Sequence, residues 1–351
     1  MDPTTPYHKG RGAQQNTPNR YHKTYYEQDP WENADELPVA PSTQLFYENP
    51  QKIISVNKSP DIPFDYSINP YQGCEHGCIY CYARPSHEYW GFSAGWDFES
   101  KIVVKKAAPQ LLAKQLSAKN WQVAPVMLSG NTDPYQPLER QMKITRELLK
   151  VFAQFGNPVG IITKNSLVLR DLDILSDLAV EGLVHVMISL TTLDECLRQV
   201  MEPRTATGAK RLETIEQLTA AGVPVGVMTA PVIPSLNDHE LPELVKQAAA
   251  HGALTAGYTV VRLNGALAEL FKDWLYKNFP DRADKVWKQI AELHDGNVGD
   301  QRFGTRMKGE GVMAQSIRQL FMLAKGKYMK DRQLPAFDLN RFRKNGTLRL
   351  F

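Results

Sequence analysis

No run of this sequence reaches the roughly 20 uninterrupted apolar residues that a membrane-spanning helix needs. The opening MDPTTPYHKGRG also lacks the apolar stretch of a secretory signal. A cytoplasmic protein is the expectation. Cysteine is scarce, four in 351 residues, too few for a fold built on disulfides. Charge of one sign is lacking as well: 41 Lys and Arg stand against 38 Asp and Glu, without the basic excess of a dedicated duplex binder. Before residue 41 the aliphatic residues Leu, Ile and Val are nearly absent, Leu37 and Val39 standing alone. Residues 1–45 therefore read as a polar, disordered arm that cannot bury a core of its own.

What the chain does hold is 42% hydrophobic residues, enough for one large domain or two modest ones. Short β-rich runs alternate with longer amphipathic stretches, the pattern of strand-helix repeats around a parallel sheet in the α/β class. The strand candidates are 66–70, 125–129, 159–164, 183–190, 223–229 and 254–263. Between them lie helix candidates at 108–119, 138–155, 172–181, 212–221 and 241–251. Gly156, Gly182 and Gly222 fall where helices should close. Six strands are too few for a closed eight-stranded barrel, but right-handed crossovers curl such a sheet into a partial (β/α)6 TIM-like barrel. Residues 46–265 make up this core, with a working site at the carboxyl ends of the strands. Helical segments at 269–275 and 285–293 and a glycine-rich loop at 304–311 make 266–325 a C-terminal extension. Residues 326–351 read as a basic tail: from Lys325 onward there are eight Lys and Arg and two Asp, either a contact for phosphate or a solvated terminus.

Three of the four cysteines, Cys74, Cys78 and Cys81, fall within eight residues in a loop (73–82) directly after the first strand candidate. Thiolates so close repel one another unless a metal neutralises them, so the loop reads as a metal site. A structural zinc needs a fourth protein ligand, for which His76 and, more weakly, His87 are candidates. Three cysteines without a fourth suit a cubane cluster with one iron open to a cofactor or substrate, whereas a fully capped cluster would serve electron transfer. Cys196 and His185 have no partners in the sequence and default to a buried thiol and a core histidine.

The spacing C-x3-C-x2-C, with Tyr80 before the last cysteine, resembles the cluster loop of the radical S-adenosylmethionine (SAM) superfamily. The segments NPYQGCEHGCIYCYARPSHEYWG, SGNTDPYQPLER, ITKNSLVLRDLD, MEPRTATGAKRLETI and VGVMTAPVIPSLND extend the likeness over roughly residues 52–325. Together they resemble an uncharacterised bacterial branch related to spore photoproduct lyase, often described as DNA-repair-photolyase-like. The resemblance implies a [4Fe-4S] cluster held by Cys74, Cys78 and Cys81, with SAM chelated to the fourth iron. Reductive cleavage of SAM then gives a 5′-deoxyadenosyl radical that takes a hydrogen atom from the substrate. A reductant such as a flavodoxin or ferredoxin is the implied partner. Nucleic acid is the leading substrate class, ahead of a small metabolite and a protein side chain.

Within that resemblance Lys164 matches a lysine that faces the cofactor, where a cation pairs with the SAM carboxylate. Ser189 closes the fourth strand where the superfamily offers a polar side chain to the ribose or amine. Asn131 and Asp133 follow the second strand near the expected amino group, and Asp133 matches an aspartate of the lyase pattern. Arg211 recurs in that pattern and Arg204 does not, but both offer a fork suited to a carboxylate. Tyr80 and Tyr82 flank Cys81 and are the candidate catalytic side chains, to shield the cluster, stack on adenine or relay a hydrogen atom. One departure matters: the cysteine with which the lyase returns a hydrogen atom falls at Gly130 here. Thymine-dimer repair by the same hydrogen return is therefore not expected.

Overall fold

The computed structural model describes residues 7–21, 42–344 and 346. Its strands are β1 (Gln44–Tyr47), β2 (Ile54–Val56), β3 (Tyr66–Ile68), β4 (Tyr71–Gln72), β5 (Lys101–Val104), β6 (Val126–Leu128), β7 (Val159–Thr163), β8 (Val184–Ser189), β9 (Val225–Val232) and β10 (Thr255–Val260). All six strand candidates are present, as β3 and β6 to β10, parallel and adjacent in chain order. β2 joins the sheet antiparallel to β3, and β1, β5 and β4 form a small second sheet. The sheet thus stays open between β10 and β2, as a partial barrel does. β1 and β2 escaped the sequence because they are three or four residues long and mostly solvent-facing, without an apolar run.

The crossover helices are Ala108–Leu116, Ile144–Phe155, Leu172–Val180, Gly208–Ala220 and Leu241–Ala250. The expected helix 138–155 is broken at Lys143, whose φ is +54°. The break has a local cause: Glu139 turns its carboxylate back to accept the N–H of Thr145 (3.1 Å), capping the second piece. Gly156, Gly182 and Gly222 follow their helices at positive φ, as breakers do.

The two-residue period of the strands separates two faces. Val126, Leu128, Val159, Ile161, Val186, Ile188, Val225 and Val227 lie on the helix side, none more than 1% exposed. Burying each stabilises the fold by about 1.5–3 kcal/mol in transfer terms. The concave face repeats one step, a methionine beside a glycine in register on the next strand: Met127 and Gly160, Met187 and Gly226, Met228 and Gly257. A Cβ on these glycines would stand 2.8, 2.5 and 3.2 Å from the methionine side chain. Those side chains therefore occupy the room that glycine leaves.

The extension contains the helices Leu267–Asn278, Ala283–Glu292 and Gly311–Tyr328. Leu267, Phe271 and Trp274 share a buried cluster with Cys78, Ile79 and Tyr80, so the first of these helices backs the cysteine loop. The described part of the basic tail runs under the amino ends of the strands, opposite the cysteine loop, with several of its charges engaged. Arg332 donates to the carbonyls of Ala249 (2.7 Å) and Ala253 (3.2 Å), and Arg343 pairs with Glu181 (2.7 Å). Phe337 stacks on His185 at 3.9 Å, so His185 is half-buried against the tail rather than a core histidine.

Of the residues assigned to a disordered arm, 7–21 and 42–45 are described: the first lie packed on the body, with Arg11, Ala13, Gln14 and Thr17 buried, and the second run into β1. Backbone N–H groups and small side chains hold the first segment, which is why aliphatic content did not reveal it. Residues 1–6 and 22–41 of that arm lie outside the described residues. No helix among the described residues is long and apolar enough to cross a membrane.

Candidate active site

After β3 the chain turns through β4 into the loop bearing Cys74, Cys78 and Cys81, at the carboxyl end of the barrel strands. Cys74 and Cys78 are 7% exposed and Cys81 is half-buried. Single hydrogen bonds give the loop its shape: the N–H of Cys74 donates to Phe98 O (2.8 Å) and that of Ile79 to Met201 O (3.0 Å). Arg84, fully buried, fastens it from below. Its Nε donates to Cys78 O (3.0 Å), its Nη2 to Gly77 O (3.2 Å) and its Nη1 to the carbonyls of Ala94 and Gly95 (3.1 Å each). Nη2 also meets the buried Glu99 carboxylate at 2.5 Å. A planar fork with five donors can satisfy that many buried acceptors, and a lysine cannot.

Burial, and then the Glu202 carboxylate, push the thiol of Cys78 up; burial and Cys74 do the same to Cys81. A bound cation is what would turn such thiols into thiolate ligands. Among the described residues no three of His, Cys, Asp and Glu are grouped as the ligands of a single metal ion would be. Of the two histidines weighed as zinc ligands, His76 lies with its ring against Asp133 (3.3 Å) and Asn165 (3.1 Å) and beside the Cys74 side chain, and His87 is caged by the rings of Phe92 and Phe98. Three buried thiols on one loop suit an iron-sulfur cluster, which spreads its thiolates over several irons, better than they suit one zinc.

Around the thiols several polar groups stand open. Lys164, just past β7, has its Nζ 5.8 Å from the Tyr80 ring centre, and its charge reaches Cys78, Cys81 and Glu202. Among the described residues its ammonium makes no hydrogen bond or ion pair, and neither does the Ser189 hydroxyl at the end of β8. Asn131 belongs to a loop organised by Asn69, whose Oδ1 accepts from the N–H groups of Gly130 (3.0 Å), Asn131 (2.7 Å) and Thr132 (3.3 Å). The Asn131 amide donates to Gln72 (3.0 Å) and Ser86 (2.8 Å), which leaves its Oδ1 open. Tyr82 is 57% exposed but turns its hydroxyl onto Gly130 O (2.6 Å). The Arg262 guanidinium, past the end of β10, lies 5.8 Å from the Tyr82 ring centre without a protein partner among the described residues.

Two residues expected at the cofactor, Asp133 and Arg211, are instead engaged in the wall. Asp133 accepts from Thr163 Oγ1 (2.7 Å) and from the N–H groups of Lys164 (2.8 Å) and Tyr135 (2.9 Å). Arg211, buried, donates to the carbonyls of Ala206 and Ser189 (2.9 Å each) and to Glu202 and Thr205. Arg204 sits 3.7 Å from Glu99, on the Arg11 side of the cysteine loop. Tyr80 is buried with its hydroxyl bonded to Glu202. Glu202, to which the sequence assigned no role, is the hub of this wall. Burial opposes its charge, yet Arg211 and Lys164 hold its carboxyl down at about 2. The carboxylate could have been suspected from its place in Glu202-Pro203-Arg204-Thr205, whereas Arg84, Glu99, Asn69 and Arg262 carry no local signal. Cys196 is exposed on the helix Glu195–Met201, not buried.

Residues 68–248 match the family model of the Radical SAM superfamily. The uncharacterized protein Rv2578c of Mycobacterium tuberculosis is 37% identical over 232 residues, 65% of this chain and 68% of its own. The uncharacterized protein MJ0683 of Methanocaldococcus jannaschii is 29% identical over 227 residues, 64% of this chain and 81% of its own. Among solved structures, spore photoproduct lyase complexed with dinucleoside spore photoproduct aligns with a TM-score of 0.57 at 13% identity, covering 84% of this chain and 85% of that one. A mutant of the lyase with the same ligand gives 0.59 at 14% identity, covering 84% and 86%. At such identities the structural likeness speaks for the fold, and the family match speaks for descent. On the two together, this chain belongs to the radical SAM superfamily and shares the partial-barrel fold of spore photoproduct lyase.

Proposed function

We propose that Cys74, Cys78 and Cys81 ligate the [4Fe-4S] cluster that membership of the superfamily implies, and that SAM binds beside them against Lys164, Ser189 and Asn131. The enzyme then abstracts a hydrogen atom from a substrate carrying an anionic group, with nucleic acid the foremost class. One observation carries this reading: an unpaired ammonium, Lys164, stands within electrostatic reach of buried thiols on a loop at the strand ends. Bound together, cluster and SAM supply a 5′-deoxyadenosyl radical once an external reductant such as a flavodoxin or ferredoxin delivers an electron.

The chain's own residues have separate tasks. Lys164 neutralises the SAM carboxylate, Ser189 meets its ribose, and the open Oδ1 of Asn131 accepts from its amino group. Glu202, kept ionised, holds the Tyr80 hydroxyl and makes Tyr80 a positioning residue for the adjacent Cys81. Arg262 offers the substrate one charged fork at the mouth. Among the described residues two arginines that could widen a basic surface for a duplex are already paired, Arg306 with Asp61 (2.6 Å) and Arg302 with Asp300 (2.9 Å). That supports recognition of a single phosphate or carboxylate over a long backbone tract. The lyase that shares this fold is known with a dinucleoside photoproduct, which keeps nucleic acid first. At Gly130, where the sequence resemblance puts that lyase's hydrogen-returning cysteine, the backbone carbonyl receives the Tyr82 hydroxyl. Tyr82 is therefore the candidate catalytic side chain for any return of a hydrogen atom.

The test is anaerobic. The protein is reconstituted with iron and sulfide and given dithionite and SAM, and 5′-deoxyadenosine is measured by chromatography, first alone and then with short oligonucleotides. Reductant-dependent 5′-deoxyadenosine supports the reading. A colourless protein that holds one zinc and leaves SAM intact overturns it. Lys164→Ala is expected to raise the KM for SAM roughly 10- to 100-fold, since charge-assisted hydrogen bonds are worth about 1.5–3 kcal/mol. Iron content should stay unchanged, and an unaltered KM would remove Lys164 from the cofactor site.

A further inference from the structure

We propose that residues Arg11–Thr17 form a strap that holds the cysteine loop in ligand-ready shape and screens it from water and oxygen. The proposal rests on the cluster reading above but concerns a segment that this reading does not use.

The strap meets the loop backbone to backbone. A Cβ on Gly12 would stand 1.7 Å from Gly77 O and 3.2 Å from the N of Ile79, so nothing larger than glycine fits where the strap crosses the backbone on either side of Cys78. Because the obstructing atom is a carbonyl oxygen, no side-chain rotation relieves that clash. A second crossing lies further along, where a Cβ on Gly95 would stand 2.0 Å from Gln15 O. Between the crossings the strap is tied down by polar bonds. The buried Glu99 carboxylate accepts from the N–H groups of Gly12 (3.3 Å) and Ala13 (2.8 Å), and Trp96 Nε1 donates to Ala13 O (2.6 Å). The N–H of Thr17 donates to Ser93 Oγ, which donates back to Thr17 O (2.8 Å each).

Glu99 makes this a coupling and not only a contact. The same carboxylate pairs with Arg84, whose guanidinium holds the carbonyls of Gly77 and Cys78. One continuous chain of charge-assisted bonds thus runs from strap amides to loop carbonyls. Ala13, fully buried, also packs in the cluster of side chains that contains Cys78, Ile79 and Tyr80. Lifting the strap would bare the Gly77–Ile79 backbone to water and take from Glu99 the N–H donors of Gly12 and Ala13. Water near an iron-sulfur cluster favours its more highly charged, reduced form, so the potential should rise as the strap leaves.

The experiment uses the full chain with Gly12→Ala and Gly95→Ala, one variant at each crossing, and Lys9→Ala as a control outside the strap. Apo protein is alkylated with iodoacetamide and the modification of Cys74, Cys78 and Cys81 is followed by mass spectrometry. Reconstituted protein is titrated for its midpoint potential and timed for bleaching in air. Both glycine variants are expected to alkylate and bleach roughly three- to tenfold faster, as a local opening would allow, and to show a more positive potential. Lys9→Ala should match the parent. Unchanged alkylation, bleaching and potential in both glycine variants would overturn the strap, as would global unfolding of both, since the segment would then be core. If no form takes up a cluster but the glycine variants still alkylate faster, the strap stands and the cluster reading falls alone.

Discussion

Formation of 5′-deoxyadenosine is expected to fall to background when Cys78 is replaced by alanine, while the protein stays folded. The two halves of that result have different causes. Losing one of three thiol ligands would leave the cluster an iron short of its cap, and among the described residues His76 is already engaged by Asp133 and Asn165 and Glu202 by Arg211 and Tyr80. The packing loss is small: a sulfur atom becomes a hydrogen at a site already in contact with Ile79 and its neighbours, a change of about 1 kcal/mol. Iron content and the visible absorption of the cluster should drop together with product, and the melting temperature should hardly move. Cys196→Ala, on an exposed helix position, should keep both iron and activity. Product from Cys78→Ala at the parent rate would end the assignment of this loop as the cluster site.

Arg84→Met is the second large effect, and it strikes stability. The guanidinium is fully buried and serves four carbonyls besides the Glu99 carboxylate. Methionine fills much of the same volume but donates nothing, so the buried Glu99 carboxylate is left without its main partner. Removing one member of a buried pair typically costs about 3–5 kcal/mol, a large part of the roughly 5–15 kcal/mol that holds a folded protein together. Urea denaturation should show the loss as a lower midpoint at a similar slope. Adding Glu99→Leu to Arg84→Met should recover part of it, because the unpaired charge goes as well. A single variant as stable as the parent would show that the pair is not the keystone described above.

The barrel was legible in the sequence and the shape of its site was not, for physical reasons. β7 to β9 are buried on their helix side and read as Val and Ile runs, with breakers such as Gly182 and Gly222 closing the helices just before β8 and β9. Burial of one face leaves a periodic record in a contiguous stretch. The cysteine loop was legible because its three thiols crowd eight consecutive residues. Long-range polar pairing leaves no such record: Arg84 and Glu99 are fifteen residues apart, and Glu99 and Gly12 eighty-seven. Arg211 and Asp133 resembled cofactor ligands by position, but in the folded chain the nearer claims of Glu202, His76 and Thr163 take their bonding capacity. The strap at residues 11–17 was missed because composition measures aliphatic content, and this segment is anchored by its backbone.

The methionines of the concave face carry a chemical liability. Met127, Met187 and Met228 are half-buried on the side of the sheet that faces the opening, and thioethers are oxidised to sulfoxides by the same oxidants that attack iron-sulfur centres. A sulfoxide needs space for one more oxygen, and each of these side chains already fills the gap above a glycine. An oxidised floor would therefore press the neighbouring strand and narrow the cavity, an injury that renewing the iron and sulfide alone would not mend. Protein handled in air should accumulate mass in steps of one oxygen, and the lost capacity should return only when a sulfoxide reductase is supplied.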